Sequence, residues 1–283
     1  MTMSDPGTTG LQTGMVDQPR HSRLSMMVTE TGVDVVVASK VVDGSLIYRH
    51  IDFDRGATSV IHAFEDAVYD NPLLLADFET VDVLIDTRRF LVIPADRADD
   101  AEEMLADLYP DTPFECLLSP TGAGDSAKTE PLIATAANPE LLGFLRRTFH
   151  NANIAHRLSP LCAFFGAQRN QGNMGKLHLN LHNGRTDILA FVPGGLLMSN
   201  TVDTPKATDT AYYTLAAAQS LGFDAANDRV IVSGDNDQRE ELLPILRRHV
   251  SFVMPHIFPS EALKSGRDAM AAPFELIVIP LIK

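Results

Sequence analysis

The stretch KLHLNLHNGRTDILAFVPGGLLMSNTV, residues 176–202, decides the fold. From Leu177 to His182, leucines alternate with polar residues, which is the two-residue period of a β-strand. Two more strands are predicted, each preceded by residues typical of tight hairpin turns: residues 185–192 after Asn183-Gly184, and residues 196–202 after Gly194-Gly195. The stretch therefore predicts a three-stranded antiparallel meander.

The beginning of the chain repeats this pattern, with strands predicted at residues 24–29, 33–38 and 45–52. Helices and strands alternate after each meander, which predicts a duplicated α/β unit. The predicted helices are 57–69, 98–108, 139–150 with Asn138 as its N-cap, 160–168, 208–221 and 239–248. The further predicted strands are 81–85, 90–93, 114–118, 132–136, 154–157, 229–233 and 251–254, and the closing run from Phe274 to Ile282 is strand-like.

Composition limits the classes of protein that the chain can belong to. Its 283 residues are 45% hydrophobic and 21% charged, as in folded proteins with a sizeable core. The net charge of −14 disfavours binding to nucleic-acid phosphates and to anionic lipid. Neither a secretory signal nor a span of about 20 apolar residues is evident, and two isolated cysteines suit a reducing compartment. We therefore expect a cytoplasmic protein without membrane insertion or nucleic-acid partner.

Three motifs occur in the order found in one superfamily. LNLHNGRTDILAF, residues 179–191, resembles the second phosphate loop of the actin, sugar-kinase and heat-shock-chaperone ATPases, which typically reads Asp-hydrophobic-Gly-Gly-Gly-Thr-Thr-Asp-Ile. SPLCAFFG, residues 159–166, resembles their interdomain connecting helix. VIVSGDN, residues 230–236, resembles their adenosine-binding strand and turn.

The resemblance implies a duplicated actin-like (ribonuclease H-like) α/β fold. Each of its two domains would hold a mixed five-stranded sheet flanked by helices. The nearest form is an uncharacterised bacterial family of degenerate actin-like proteins. The implied organisation is a flexible tail over residues 1–21, domain I over 22–171 and domain II over 172–283.

The nucleotide motifs depart from the superfamily pattern. Asn180 stands where the superfamily has an aspartate that positions magnesium, and it offers no charge to a hard cation. His182 and Asn183 replace glycines whose backbone N–H groups approach phosphate. The predicted, degenerate nucleotide-cleft positions are Thr29, Glu30, Gly32, Asn180, His182, Asn183, Gly184, Thr186, Asp187, Gly234 and Asp235.

These departures predict that the fold persists without phosphoryl-transfer chemistry. We expect a pseudo-ATPase scaffold with no catalytic residue, metal or cofactor, whose partner is an unidentified protein or a second copy of the chain. One alternative is a divergent ATP-binding enzyme or nucleotide switch that uses ATP with magnesium, held by Glu30 or Asp187. Another is a cell-division-type actin-like adaptor.

Two further patterns have a functional and a structural interpretation. GAGDSAKT, residues 122–129, misses the P-loop pattern by one residue, but Pro131 and a predicted strand follow it, so a flexible hairpin loop is favoured. His178 and His182 share one face of a strand and could present two imidazoles to a metal. The favoured interpretation is polar residues on the outer face of an edge strand.

Overall fold

The computed structural model describes residues 11, 16, 18–42, 44–54, 56–124, 130–169 and 172–282. Most of the predicted N-terminal tail, and residues 125–129 of the P-loop-like segment, lie outside this part. Leu11, which falls within the predicted tail, is buried, and its backbone N–H donates a 2.7 Å hydrogen bond to Asn71 Oδ1.

The strands follow the predicted meanders closely. In chain order they are β1 (Ser22–Val28), β2 (Gly32–Ser39), β3 (Leu46–Asp52), β4 (Thr80–Ile85), β5 (Phe90–Ile93), β6 (Glu115–Pro120), β7 (Leu132–Ala137), β8 (Asn153–His156), β9 (Lys176–His182), β10 (Arg185–Val192), β11 (Gly195–Asp203), β12 (Arg229–Gly234) and β13 (Phe252–Pro255).

The helices also begin at recognisable signals. Ser59 and Asn138 accept hydrogen bonds from backbone N–H groups of the helices that follow them, so both are N-caps. The helices are α1 (Val60–Tyr69), α2 (Ala101–Leu108), α3 (Pro139–Thr148), α4 (Leu158–Gly166), α5 (Ala207–Ser220), α6 (Asn236–Leu246), α7 (Ser260–Leu263), α8 (Gly266–Ala271) and α9 (Phe274–Val278), with short 3₁₀ turns at Pro19–His21, Pro72–Leu75, Ala95–Asp100 and Ile279–Leu281.

Two mixed five-stranded sheets have the same topology. The first has the order β3-β2-β1-β4-β8 and the second the order β11-β10-β9-β12-β13. In each, the meander is antiparallel and its first strand pairs in parallel with a later strand, β4 or β12. The predicted duplication of an opening meander is therefore confirmed. β5, β7 and β6 form a separate antiparallel sheet.

The chain forms two compact units, and each is discontinuous in sequence. Unit 1 contains the residues up to Asp86, Asn138–Ile154 and Glu261–Ala272. Unit 2 contains Thr87–Ala137, Ala155–Ser260 and the residues from Pro273 on. The predicted boundaries at residues 22 and 172 follow the sequence duplication and stay a prediction.

Each unit buries its own apolar face. In unit 1, Phe64 of α1 packs edge to face against Phe144 of α3, with ring centroids 5.6 Å apart. In unit 2, the alternating leucines of β9 form a buried core with residues of α5 and α6, among them Ala207 and Leu242. The two-residue period that predicted β9 therefore marks the side of the strand that faces these helices.

The structure corrects two expectations. The run from Phe274, predicted to be strand-like, forms α9 and a 3₁₀ turn. Every residue of α9 is buried, so the run is apolar because it packs in the interior as a helix. The edge-strand interpretation of His178 and His182 is wrong, because β9 is the central strand of its sheet. His178 is 1% exposed and stacks on Phe165 with ring centroids 4.0 Å apart.

Among the described residues, no helix combines the length and the apolar character that a membrane span needs.

Candidate functional site

The hairpin of β9 and β10 lies at the centre of the candidate site in unit 2. Its turn residues Asn183 and Gly184 have φ values of 47° and 69°, both in the left-handed region that a tight hairpin turn needs. The register places Asn180 of β9 directly opposite Asp187 of β10. The hairpin therefore brings two of the predicted cleft positions side by side.

Arg157 binds the Asp187 carboxylate from the segment between β8 and α4. Its Nη1 donates to Oδ2 over 2.7 Å and its Nη2 donates to Oδ1 over 2.6 Å. The Arg157 and Asp187 side chains are 1% and 0% exposed. A two-point, charge-assisted pair is the strongest kind of side-chain hydrogen bonding, and here no solvent weakens it.

Three more polar side chains complete a buried network around this pair. Glu275, in the first turn of α9, accepts a 3.0 Å hydrogen bond from Arg157 Nη1. Thr201 Oγ1 accepts from Arg157 Nη2 and donates to Asp187 Oδ1 over 2.8 Å. Asn180 Nδ2 donates to Asp187 Oδ2 over 3.2 Å and to Glu275 Oε1 over 3.3 Å. The network thus ties together β9, β10, β11 and α9.

His182 borders the network without a well-formed hydrogen bond. Its Nε2 lies 3.0 Å from Asp187 Oδ2, but the atom is buried and no partner meets hydrogen-bond geometry. Burial opposes protonation of His182, yet the Asp187 carboxylate outweighs it and the pKa of His182 is raised. The contact is therefore an electrostatic one that favours the imidazolium form.

The pKa values of the two carboxyl groups are shifted in opposite directions. Burial would raise the pKa of Asp187, but Arg157 and then His182 hold it well below its usual range. For Glu275 burial dominates, and its pKa is raised. Asp187 is consequently the fixed anion of the network, while Glu275 is the carboxyl group that more easily takes a proton.

The same atoms include a potential metal-ligand set. Donor atoms of His182, Asp187 and Glu275 all lie within 4.8 Å of one another. However, the Arg157 guanidinium donates to oxygens of both carboxyl groups, and both Asp187 oxygens accept from it. Asn180 supplies an amide where a magnesium site prefers a carboxylate. The residues present therefore do not fit a magnesium ion, and the guanidinium supplies the positive charge.

Thr186 points away from this network. Its Oγ1 lies 2.7 Å from Thr204 Oγ1 and 3.2 Å from Thr210 Oγ1, and all three hydroxyl groups are buried. Gln238 Nε2 adds hydrogen bonds to Thr204 O and Thr210 Oγ1. Adjacent residues of a strand face opposite sides of the sheet, so the Thr186 and Asp187 side chains lie on opposite faces of the unit 2 sheet.

Gly234 and Asp235 follow the neighbouring strand β12. Gly234 has a φ of 90°, and a Cβ there would lie 2.0 Å from the carbonyl oxygen of Leu181, so close strand approach requires glycine. Asp235 is the N-cap of α6 and accepts a 2.9 Å hydrogen bond from the backbone N–H of Gln238. A carboxylate thus already lies at the helix N-terminus, where an anion would otherwise bind.

The other predicted positions belong to unit 1. Thr29 Oγ1 accepts from the backbone N–H groups of Thr31 and Gly32 and donates to Gly32 O. A Cβ on Gly32 would lie 2.6 Å from the carbonyl oxygen of Ile51. Glu30 is exposed. The Thr29 hydroxyl therefore satisfies the turn's N–H groups locally.

The structure brings Asn180, His182 and Asp187 together and places the other predicted positions in turns, in the core or in unit 1. Sequence reasoning missed Arg157, Thr201 and Glu275. One signal was available for Glu275, since it is the single charge in the apolar run 273–282. A charge in such a run needs a buried partner.

Residues 12–253 match the protein family described as "Protein of unknown function (DUF3822)". The match covers most of the chain, and the chain belongs to this family. No curated protein matches it.

Solved structures show the fold. A Bacteroides thetaiotaomicron protein, described as having an actin-like ATPase fold and unknown function, is 19% identical with a TM-score of 0.74, over 86% of this chain and 94% of that one. The PilM-PilN type IV pilus biogenesis complex gives 12% identity and a TM-score of 0.56, over 94% of this chain and 100% of that one. The predicted actin-like fold, within an uncharacterised family, is thereby confirmed.

Proposed function

We propose that this member of the DUF3822 family is a non-catalytic protein of actin-like ATPase fold, which does not hydrolyse ATP and acts through protein contacts. One observation carries the proposal: the Arg157 guanidinium is bound between the buried carboxyl groups of Asp187 and Glu275. The divergent-enzyme alternative assigns the metal to Glu30 or Asp187, and the guanidinium already binds both carboxylate oxygens of Asp187.

Arginine supplies a permanent positive charge at this position, where a metal ion would otherwise be needed to neutralise the carboxylate. It cannot lose its proton in a protein, so its charge stays in the site at any ordinary pH. A magnesium ion at Asp187 would have to displace a two-point hydrogen-bonded pair from a dry interior, and the buried guanidinium would lose its Asp187 partner. We therefore expect Asp187 to have no role in holding a nucleotide-bound metal.

Backbone groups that would receive phosphate also have partners within the chain. The turn after β1 has its N–H groups bound to the Thr29 hydroxyl, and the first turn of α6 is capped by the Asp235 carboxylate. An added phosphate would compete with the first and be repelled by the second. Both features support a loss of nucleotide binding.

Contacts with other proteins are supported by exposed aromatic side chains. Tyr212 and Tyr213 of α5 are 68% and 41% exposed and lie edge to face, with ring centroids 5.3 Å apart. Exposed tyrosines are enriched in protein interfaces. One of the similar solved structures is itself a complex, PilM-PilN. The partner we propose is another protein or a second copy of this chain, in the reducing cytoplasm that suits its free cysteines.

Thermal unfolding with and without millimolar magnesium-ATP tests the proposal. A ligand at a hundred times its dissociation constant would add about 2.7 kcal/mol to the free energy of unfolding, a shift of several degrees for a chain of this size. We expect no shift and no release of phosphate.

A clear shift would overturn the proposal and favour the ATP-dependent alternative. The variant Glu30→Gln would then identify the metal ligand, because Glu30 is exposed and can change without disturbing the core. Glu103→Gln, on the exposed side of α2, is its matched control. Sedimentation over a range of concentrations separates the two partner classes, since a chain that stays monomeric throughout excludes the second copy.

A further inference from the structure

A cavity of about 220 Å³ opens beside the C-terminal end of α5 in unit 2. Its walls are apolar side chains from the helix, from the sheet and from the loops after α5 and α6: Leu177, Leu215, Ala218, Phe223, Val230 and Val250. Leu177, Val230 and Val250 are also buried members of the unit 2 core. The cavity therefore reaches from the surface to the core and suits an apolar group.

Polar residues line the rim, and its two carboxylates are already engaged. Asp228 accepts from the backbone N–H of Gly175 over 2.6 Å and from that of Asp224 over 2.7 Å. Asp224 accepts from the backbone N–H of Ala226 over 2.8 Å and from Asn227 Nδ2 over 2.6 Å. These hydrogen bonds hold the loop after α5 closed and give each oxygen of both carboxylates one donor.

Arg229 is the cationic residue that lines the cavity. Over the described part of the chain, its guanidinium has no hydrogen bond or ion pair, although it lines the cavity. The neighbouring Lys176 ammonium is bound to the carbonyl oxygens of Gln168 and Arg169. Arg229 of β12 is paired with Lys176 of β9, and burial and then the Arg229 cation lower the pKa of Lys176. The charged donors at the cavity mouth are thus those of the Arg229 guanidinium, and the uncharged amide of Gln219 also lines the cavity.

We propose that this cavity binds a small carboxylate with an apolar tail. The tail lies among Leu177, Leu215 and Val230, and the carboxylate pairs with the Arg229 guanidinium, whose planar fork matches two carboxylate oxygens. Apolar cavities of about 150 Å³ take up benzene, so this cavity accepts a somewhat longer group. The site is separate from the Arg157 network and does not depend on whether the protein binds nucleotide.

Calorimetric titration with sodium octanoate tests the site, and 1-octanol serves as the uncharged probe with the same number of carbon atoms. We expect octanoate to bind at least tenfold more tightly than 1-octanol. Arg229→Gln should remove that difference, while Arg248→Gln, at an exposed arginine after α6, should keep it. Ala218→Phe should abolish binding of both probes, because the ring fills the cavity.

Two results would overturn the proposal. Equal binding of octanoate and 1-octanol by the unchanged protein would remove the role of Arg229. Unchanged octanoate binding in Ala218→Phe would place the ligand elsewhere on the surface. Should Ala218→Phe fail to fold by circular dichroism, Leu215→Phe, on the same wall, supplies the second filled cavity and is judged by the same outcome.

Discussion

The two five-stranded sheets carry an aspartate at the same position, but the side chains that bind the two carboxylates differ. Asp34 is the third residue of β2 and Asp187 is the third residue of β10. Each lies opposite the central strand, across from Met27 or Asn180, and both are buried. The duplicated fold therefore places a carboxylate at matching points in both units, and each unit must supply hydrogen-bond donors for it.

Unit 1 supplies those donors from the adjacent strand. Tyr48 OH donates to Asp34 Oδ1 over 2.8 Å, and His50 Nδ1 lies 2.8 Å from the same oxygen, both from β3. Burial and then the Asp34 carboxylate raise the pKa of Tyr48. Unit 2 instead uses Arg157 from before α4, which also binds Glu275 of α9. One carboxylate is served by neutral or titratable neighbours, and the other by a permanent cation.

The largest expected effect comes from removing that cation. Arg157→Met keeps an unbranched apolar stem but removes the guanidinium and leaves Asp187 and Glu275 buried without it, so we expect a loss of about 3–5 kcal/mol in the free energy of unfolding. Urea unfolding followed by circular dichroism measures the loss. Asp34→Asn is the comparison in unit 1, and it should cost less because the amide oxygen that replaces the carboxylate can still accept a hydrogen bond from Tyr48.

A second variant keeps this prediction falsifiable. In Arg157→Met combined with Asp187→Leu, the fixed anion is also gone, so part of the lost stability should return. Added guanidinium chloride below denaturing concentrations should stabilise Arg157→Met selectively. Equal stability of Arg157→Met and the unchanged protein would show that Asp187 does not need a cation and would remove the contrast between the two units.

The next effect is on acid stability, and it concerns the imidazoles of unit 2. Burial and then the neighbouring His256 lower the pKa of His178 to about 3, and burial lowers that of His256 to about 4. Because the unfolded chain takes up protons near pH 6.5, the stability that these neutral residues contribute is present above that pH. It is lost as the pH falls towards 4 and 3.

His178→Phe removes one group that takes up a proton on unfolding. The slope of the free energy of unfolding against pH should therefore fall by up to about 1.4 kcal/mol per pH unit between pH 6.5 and 4. Unfolding in urea across that range gives the slope. His62→Gln, at an exposed histidine of α1, should leave it unchanged. His182, whose pKa is raised, has the opposite sign: its contribution is present in acid and is lost as the pH rises through its pKa. An unaltered slope in His178→Phe would contradict the assignment.

The smallest effect distinguishes the donors of the two aspartates. Tyr48→Phe removes one hydrogen bond to Asp34 and should cost about 1 kcal/mol, since His50 remains. Thr201→Val should cost more, because Thr201 Oγ1 both donates to Asp187 and accepts from Arg157 in a drier site. Chemical unfolding of both variants ranks them. A larger loss for Tyr48→Phe would reverse the order and show that unit 1 holds its carboxylate more tightly.

Local sequence patterns predicted much of the framework. The alternation from Leu177 to His182 located β9, and Asn183-Gly184 located its hairpin turn, because period and turn chemistry are written in adjacent residues. The N-cap Asn138 was visible for the same reason. The motif at residues 179–191 also pointed to Asn180 and Asp187, which the hairpin brings together.

Long-range pairing set the limit of prediction. Arg157 and Glu275 are separated by 118 residues, and neither adjoins the motif that they serve. The local pattern puts Arg157 at the end of a strand and makes α9 strand-like, because an apolar run of that length has no period that separates the two structures. The central place of β9 within its sheet was likewise invisible, since strand order depends on β12 and β13.

Because the two units alternate along the chain, the protein cannot be cut into two fragments that each contain one whole unit. Unit 1 takes segments from three separate parts of the chain, and unit 2 takes the parts between and after them. A fragment ending at residue 171 would lack α8, whose Asp268 accepts a hydrogen bond from the backbone N–H of Tyr48 on the edge strand β3. A fragment beginning at residue 172 would lack Arg157. Neither unit is available as one uninterrupted piece, so recombination or fragment complementation must preserve both halves of the chain together.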